Sequence, residues 1–219
     1  MADKSILFLH GFASSRHSAK AMYLGQKLKP LSQVEFHAVE FNPTPQDFEY
    51  MTTTGLINRL RQYIVDHEIV TSSIIGSSYG GLIAVQYAHR FGSVEKMLLL
   101  APGLRWLNGG LSEEQLEAWE KAGAIAVFHA GFQVELPVQY DLQLDGLQYL
   151  EPVPPTCPVL IIHGRDDTTV PIDDSRAYAG KHPDMVKLIE VDADHDLNSH
   201  LPFIWEHVQS FLLGIKGRG

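Results

Sequence analysis

Six short apolar runs, none strictly alternating with polar residues, constrain the fold of this chain more than any other feature: Ile6 to Leu9, Val34 to Phe41, Ser73 to Ile75, Met97 to Ala101, Val159 to Ile162 and Val186 to Val191. Runs of this kind suit strands covered on both faces. Between them lie stretches with helical spacing: Ala19 to Leu28, Gly55 to Val65, Leu82 to His89, Asp174 to Ala179 and Phe203 to Leu213. Strand and helix alternating along a chain build a mainly parallel sheet from βα units. The expected architecture is a three-layer α/β sandwich. Its chemistry belongs outside the carboxyl ends of the strands, where open parallel sheets bind their ligands.

A chain of 219 residues supports one well-buried core, so residues 1–219 are expected to form a single domain. With 45% hydrophobic and 20% charged residues, neither disorder nor a fibrous repeat is indicated. The net charge of −9, with Lys and Arg scattered singly, provides no basic stripe to neutralise phosphates, which excludes nucleic acid as a partner. The lone cysteine, Cys157, cannot form an internal disulfide, and its place before an apolar run suits a buried, inert thiol. Met1 to Lys4 lead directly into Ser5 to Leu9, too short for a signal-peptide apolar region. No apolar run approaches the roughly 20 residues of a membrane span. The expectation is a cytoplasmic protein with no membrane partner, and no feature specifies an oligomeric state.

One segment breaks the rhythm. From Gly103 to Pro155 the chain takes a detour far longer than the few residues that usually connect strand and helix in such folds. Ser112-Glu113-Glu114-Gln115 reads as a capping box opening a short acidic helix through Lys121. Ile125 to Val138 reads as extended around Gly131, and Glu151 to Pro155 as a stiff connector. Residues 103–155 are expected to form a small lid.

The chemical signal is strongest at Gly76-Ser77-Ser78-Tyr79-Gly80-Gly81, which follows a strand and precedes a helix. A nucleophile on a sharp strand-to-helix turn needs little side-chain bulk around it, and glycines flank Ser78 two residues to either side. Ser77 lacks those symmetric flanks. A serine hydroxyl is a poor nucleophile near neutral pH, so it needs a base and a group to hold that base. His195, in the Asp194-His195-Asp196 loop after the last strand, is the candidate base; His10, His89 and His163 sit in or beside apolar runs and suit structural roles. After the fifth strand two adjacent carboxylates, Asp166 and Asp167, are available. Neighbouring loop residues point apart, so Asp167 is assigned to the imidazole and Asp166 to the turn. Two backbone amides suit an oxyanion hole: Tyr79 after the nucleophile, and Phe12 in His10-Gly11-Phe12-Ala13 after the first strand.

These motifs together resemble the α/β-hydrolase superfamily: His10-Gly11-Phe12, Gly76 to Gly80, His163 to Pro171 and Asp194-His195-Asp196 span nearly the whole chain. His10 to Ser15 followed by Ser18-Ala19-Lys20-Ala21 is similar to the small bacterial YqiA-like esterases within it. The resemblance implies Ser78, Asp167 and His195 as a triad, and ester or thioester hydrolysis through an acyl-enzyme. It also implies a minimal version of the fold that lacks the two N-terminal strands of larger members, because Ile6 to Leu9 corresponds to the strand before the oxyanion loop. Dehalogenases and epoxide hydrolases of this fold carry Asp at the elbow and dienelactone hydrolases Cys, so Ser78 favours acyl transfer.

The leading expectation is therefore a serine hydrolase acting on a small-molecule ester or thioester, without cofactor or metal, since no His-x-x-x-His or Cys pair has ligand spacing. Trp106, Phe128 and Phe132 are the candidate substrate contacts, as aromatic residues of the lid. Two alternatives stay open: a peptidase, acyltransferase or lyase on the same triad, and a non-catalytic ligand receptor built on a hydrolase fold.

Overall fold

The computed structural model describes residues 4–106 and 110–215. Strands β1 (Lys4–Leu9), β2 (Val34–Val39), β3 (Ser72–Ser77), β4 (Val94–Leu100), β7 (Val159–Gly164) and β8 (Val186–Val191) form one parallel sheet in the order β2-β1-β3-β4-β7-β8. All five pairings in that sheet are parallel. The chain winds outwards in one direction from β1 and in the other from β3. The crevice for a ligand therefore lies beyond the carboxyl ends of β1 and β3.

Both faces of the sheet are buried, and successive strand residues serve different cores. Leu7, Leu9, Ile74, Met97, Leu99 and Ile161 pack into one cluster with helices α3 (Thr53–Asp66) and α4 (Tyr79–Phe91). Ile6, Phe8, Ile75, Leu98, Leu100 and Ile162 pack into the other with α1 (Ala19–Leu28), α8 (Leu201–His207) and the wider turn Val208–Leu212. This double burial explains the unbroken apolar runs: in β3 and β7 every residue is buried. Cys157 lies in the first cluster, where burial pushes its thiol up to about 11. No described helix is long and apolar enough to cross a membrane.

The detour carries α5 (Glu113–Ala122), the antiparallel hairpin β5 (Ala124–His129) and β6 (Val134–Gln139), and α6 (Asp141–Gly146); residues 107–109 lie outside the described part. The capping box opens α5, with Gln115 N–H donating to Ser112 Oγ and Ser112 N–H to Gln115 Oε1. The insert is pinned at several points. Asp145 of α6 accepts from the Thr54 amide at 2.8 Å and its hydroxyl at 2.6 Å, at the start of α3. Tyr149 shares the Thr54 hydroxyl and receives Arg90 Nη2 at 2.8 Å. Two short helices fall outside the periodicity seen in the sequence. One is α6; the other is α2 (Pro45–Glu49), which is held by a capping box between Thr44 and Asp47 with Pro45 in its first turn.

Candidate active site

Ser78 stands between β3 and α4 with φ 53° and ψ −120°, a conformation that side chains rarely adopt. The surrounding backbone holds it there. Its amide donates to Leu100 O at 2.9 Å, and its carbonyl accepts from Gly81 at 2.8 Å and Gly103 at 3.0 Å. The glycines on either side are required by close approach. A Cβ on Gly76 would lie 2.7 Å from Gly80 O, and one on Gly80 would collide with the carbonyl oxygen of Leu9. Removing both side chains lets β1, β3 and α4 meet at the elbow and forces the Ser78 side chain outwards.

Two further strand ends, those of β7 and β8, deliver the groups behind it. His195 Nε2 lies 2.9 Å from Ser78 Oγ, and His195 Nδ1 lies 2.7 Å from Asp167 Oδ2. With a carboxylate on Nδ1, that nitrogen carries the proton and Nε2 is left to accept the serine hydroxyl. Asp167 is fully enclosed, and each of its oxygens has two partners. Oδ1 accepts from the Thr169 and Val170 amides, at 2.9 and 2.8 Å; Oδ2 accepts from His195 and from His163 Nε2, the latter at 3.1 Å. Burial raises the carboxyl's pKa, but the hydrogen bonds from His163, His195 and Val170 outweigh it and hold the group well below its usual range. Asp167 is therefore a fixed anion.

The structure thus brings Ser78, His195 and Asp167 together and leaves Asp166 in the turn, its amide on Ala193 O at 3.1 Å. Asp194 Oδ1 accepts the Asp196 amide at 3.1 Å and shapes the histidine loop. The loop after β1 runs against the elbow, close enough that a Cβ on Gly11 would lie 3.2 Å from Ser78 Cβ. Phe12 follows Gly11 on that loop and Tyr79 follows Ser78; as first residue of α4, Tyr79 has no carbonyl one turn earlier within its helix. His10 braces the loop from below, its ring nitrogens 2.9 Å from Gly11 O and 3.0 Å from Glu40 Oε1.

Two supporting residues were not singled out for these roles in the sequence. His163 orients the acid, with its other ring nitrogen 2.8 Å from Ser175 Oγ on α7 (Ile172–Lys181); the spacing His163-x-x-x-Asp167 is its only signal in the sequence. Lys20 ties α1 to the histidine loop by donating to Asp196 O at 2.6 Å.

A cavity of about 330 Å³ opens on Ser78. Phe12 and Tyr79 line it beside the nucleophile, and Trp106, Trp119, Ile125, Val127, Val138 and Leu142 form much of its wall. Both indoles are fixed, Trp106 Nε1 to Gln143 Oε1 at 2.7 Å and Trp119 Nε1 to Val138 O at 3.0 Å. Arg105 reaches the lining too, but its guanidinium is held by Asp174, with Nη2 3.1 Å from Oδ1.

Of the three aromatic residues expected to meet substrate, only Trp106 lines this cavity. Phe128 is 56% exposed, because Ile125 and Val127 turn one face of β5 inwards and Phe128 lies on the other. Phe132 sits in the hairpin turn against the ring of His129, 4.6 Å between centroids.

A parallel sheet wound about a strained serine elbow, with His and Asp following on later strand ends, places the protein in the α/β-hydrolase superfamily. Within it, the chain belongs to the uncharacterised protein family UPF0227, whose model matches residues 5–212. No curated protein matches it in sequence. Among solved structures it is similar to Est1E from Butyrivibrio proteoclasticus with ferulic acid bound, at 18% identity and TM-score 0.75, covering 97% of this chain and 89% of that one. The α/β hydrolase domain-containing protein 10 from mouse is similar at 20% identity and TM-score 0.70, covering 93% and 89%. The esterase EaEST from Exiguobacterium antarcticum is similar at 14% identity and TM-score 0.70, covering 99% and 93%.

Proposed function

We propose that the chain is a serine hydrolase cleaving a carboxylic ester or thioester through an acyl-enzyme on Ser78. The observation that carries this reading is the unbroken line Ser78–His195–Asp167, at 2.9 and 2.7 Å, facing an apolar cavity. Ser78 Oγ attacks the acyl carbon while His195 Nε2 takes its proton, and the imidazolium is stabilised by the Asp167 anion. The negative charge that develops on the carbonyl oxygen is met by the Phe12 and Tyr79 amides, donors set in place before the reaction begins. Collapse expels the alcohol or thiol, which takes the proton from His195. Water then repeats the sequence on the acyl-enzyme, with His195 again as base, and frees the acid and Ser78.

The acyl part enters the cavity beside Trp106 and Trp119. A wall of indole and aliphatic carbon, whose one guanidinium is already paired with Asp174, suits an uncharged acyl group. The insert covers that cavity and is read as a lid. The solved structures support the reading by analogy, since one of them is an esterase by name. Hydrolysis of p-nitrophenyl acyl esters from C2 to C12 tests it. Turnover by the wild type should fall by ~10⁴-fold or more in Ser78→Ala. Equal turnover by both proteins would reject Ser78 as the nucleophile.

A further inference from the structure

His129, the last residue of β5, is a buried titratable group that the reaction above does not use; it is only 1% exposed. Its Nδ1 accepts two backbone amides of the hairpin turn, from Gly131 at 3.1 Å and Phe132 at 3.2 Å. A nitrogen that accepts two N–H groups carries no proton, so the ring is the neutral Nε2–H tautomer. That second nitrogen is buried with no hydrogen-bond partner among the described residues. Burial first and the nearby His10 second push the ring towards this neutral form, against the opposing pull of Glu40.

The turn that His129 shapes rests on the oxyanion loop. With its tip folded in this way, the Ala130 amide donates to Ala13 O at 2.8 Å. Ala13 follows Phe12 directly and has φ 50°, a left-handed conformation that a residue other than glycine keeps only when its surroundings impose it. Gly131 packs so tightly against the same loop that a Cβ there would lie 2.8 Å from Ser15 Cβ. From its other side the His129 ring meets Phe48 at 4.6 Å and 84°, and Phe48 in turn meets the Phe12 ring at 5.5 Å. The hairpin tip and Phe48 thus grip the Phe12–Ala13 turn from two directions.

We propose that His129 is a positioning residue for the oxyanion hole, holding the hairpin tip in the shape that fixes residues 12–15 and so aims the Phe12 amide at the reacting carbonyl. The proposal rests on the acyl-enzyme reading of Ser78. The insert then has two tasks: it walls the acyl cavity, and it completes the oxyanion site from outside the sheet.

The test compares wild type, His129→Leu and His129→Asn in steady-state ester hydrolysis, with thermal melts alongside. A misplaced oxyanion donor acts on the transition state, so His129→Leu should lower kcat about 10-fold or more and leave KM within about twofold. Asn carries an acceptor oxygen close to the place of Nδ1, and His129→Asn should recover most of the lost kcat. Should His129→Leu melt below the assay temperature, Gly131→Ala takes its place, since it keeps His129 and presses a methyl group on Ser15; the same loss in kcat is expected. An unchanged kcat in folded His129→Leu, or in Gly131→Ala where that variant takes its place, a loss confined to KM, or equal losses in His129→Leu and His129→Asn would overturn the proposal. Wild type that neither hydrolyses these esters nor reacts at Ser78 would instead remove the acyl-enzyme reading, and the proposal with it.

Discussion

The Ser78 elbow and the insert meet at one cavity but are held by different means. The elbow is a backbone construction. Its serine is fixed by main-chain hydrogen bonds to Leu100, Gly81 and Gly103, and its glycines exist because neighbouring backbone comes too close for a side chain. The insert relies more on side chains: Asp145 fastens it to Thr54, and Trp106 on Gln143, Trp119 on Val138 and His129 on its own turn brace it from within, beside the backbone link from Ala130 to Ala13. A backbone frame leaves little freedom to vary, which suits the part proposed to perform the chemistry. Side-chain fastenings can be exchanged one at a time without disturbing the sheet, which suits the part proposed to wall the acyl cavity.

The sharpest way to break this division is Asp167→Asn. The amide cannot stabilise the imidazolium as the anion does, and kcat should fall by about 10⁴. The fall should be the same for every acyl length, as measured across the ester series; a chain-length-dependent loss would place Asp167 in recognition as well. Gly80→Ala attacks the frame itself. Its methyl group has only the Leu9 and His10 carbonyls to displace, so a loss of about 4 kcal/mol or outright failure to fold is expected in denaturant titration.

Trp119→Ala addresses the other region. It should cost about 3 kcal/mol in stability and move the preferred ester towards longer chains, with C2 turnover held near wild type. A uniform loss at all chain lengths would mean that the wall and the chemistry are not separable. The smallest effect concerns pH. The His129 pKa is lowered from its ordinary 6.5, so the unfolded chain binds the extra proton first on acidification. Its contribution to stability is complete above that value and is lost as pH falls towards the lowered one. Melting temperatures from pH 7.5 to 5 should therefore fall somewhat less steeply in His129→Asn than in wild type.

Much of the frame is legible in the sequence, for a physical reason. Strands buried on both faces leave unbroken apolar runs, and β8 at Val186–Val191 and α1 at Ala19–Leu28 coincide with the segments read from spacing. Ser78, Asp167 and His195 were readable because a parallel sheet sends every strand end to one edge. The insert was harder. The five residues of α2 are fixed by capping rather than by periodicity, a signal present in Thr44-Pro45-Gln46-Asp47 but drowned by the loop around it. In β5 apolar residues occupy both faces, so alternation does not tell that Ile125 and Val127 line the cavity while Phe128 faces out. The links from His163 to Asp167 and from the hairpin tip to Ala13 depend on loops packing in three dimensions. Of these, only the first left a trace in the sequence.

If Ser78 carries the acyl group during turnover, an alkyl fluorophosphonate should trap it there, and intact-mass analysis after treatment reads the outcome. One adduct per chain is expected, mapped by peptide digestion to Ser78, and none in Ser78→Ala. A folded wild-type protein that stays unmodified while turning over an ester, or an adduct on another residue, would contradict it.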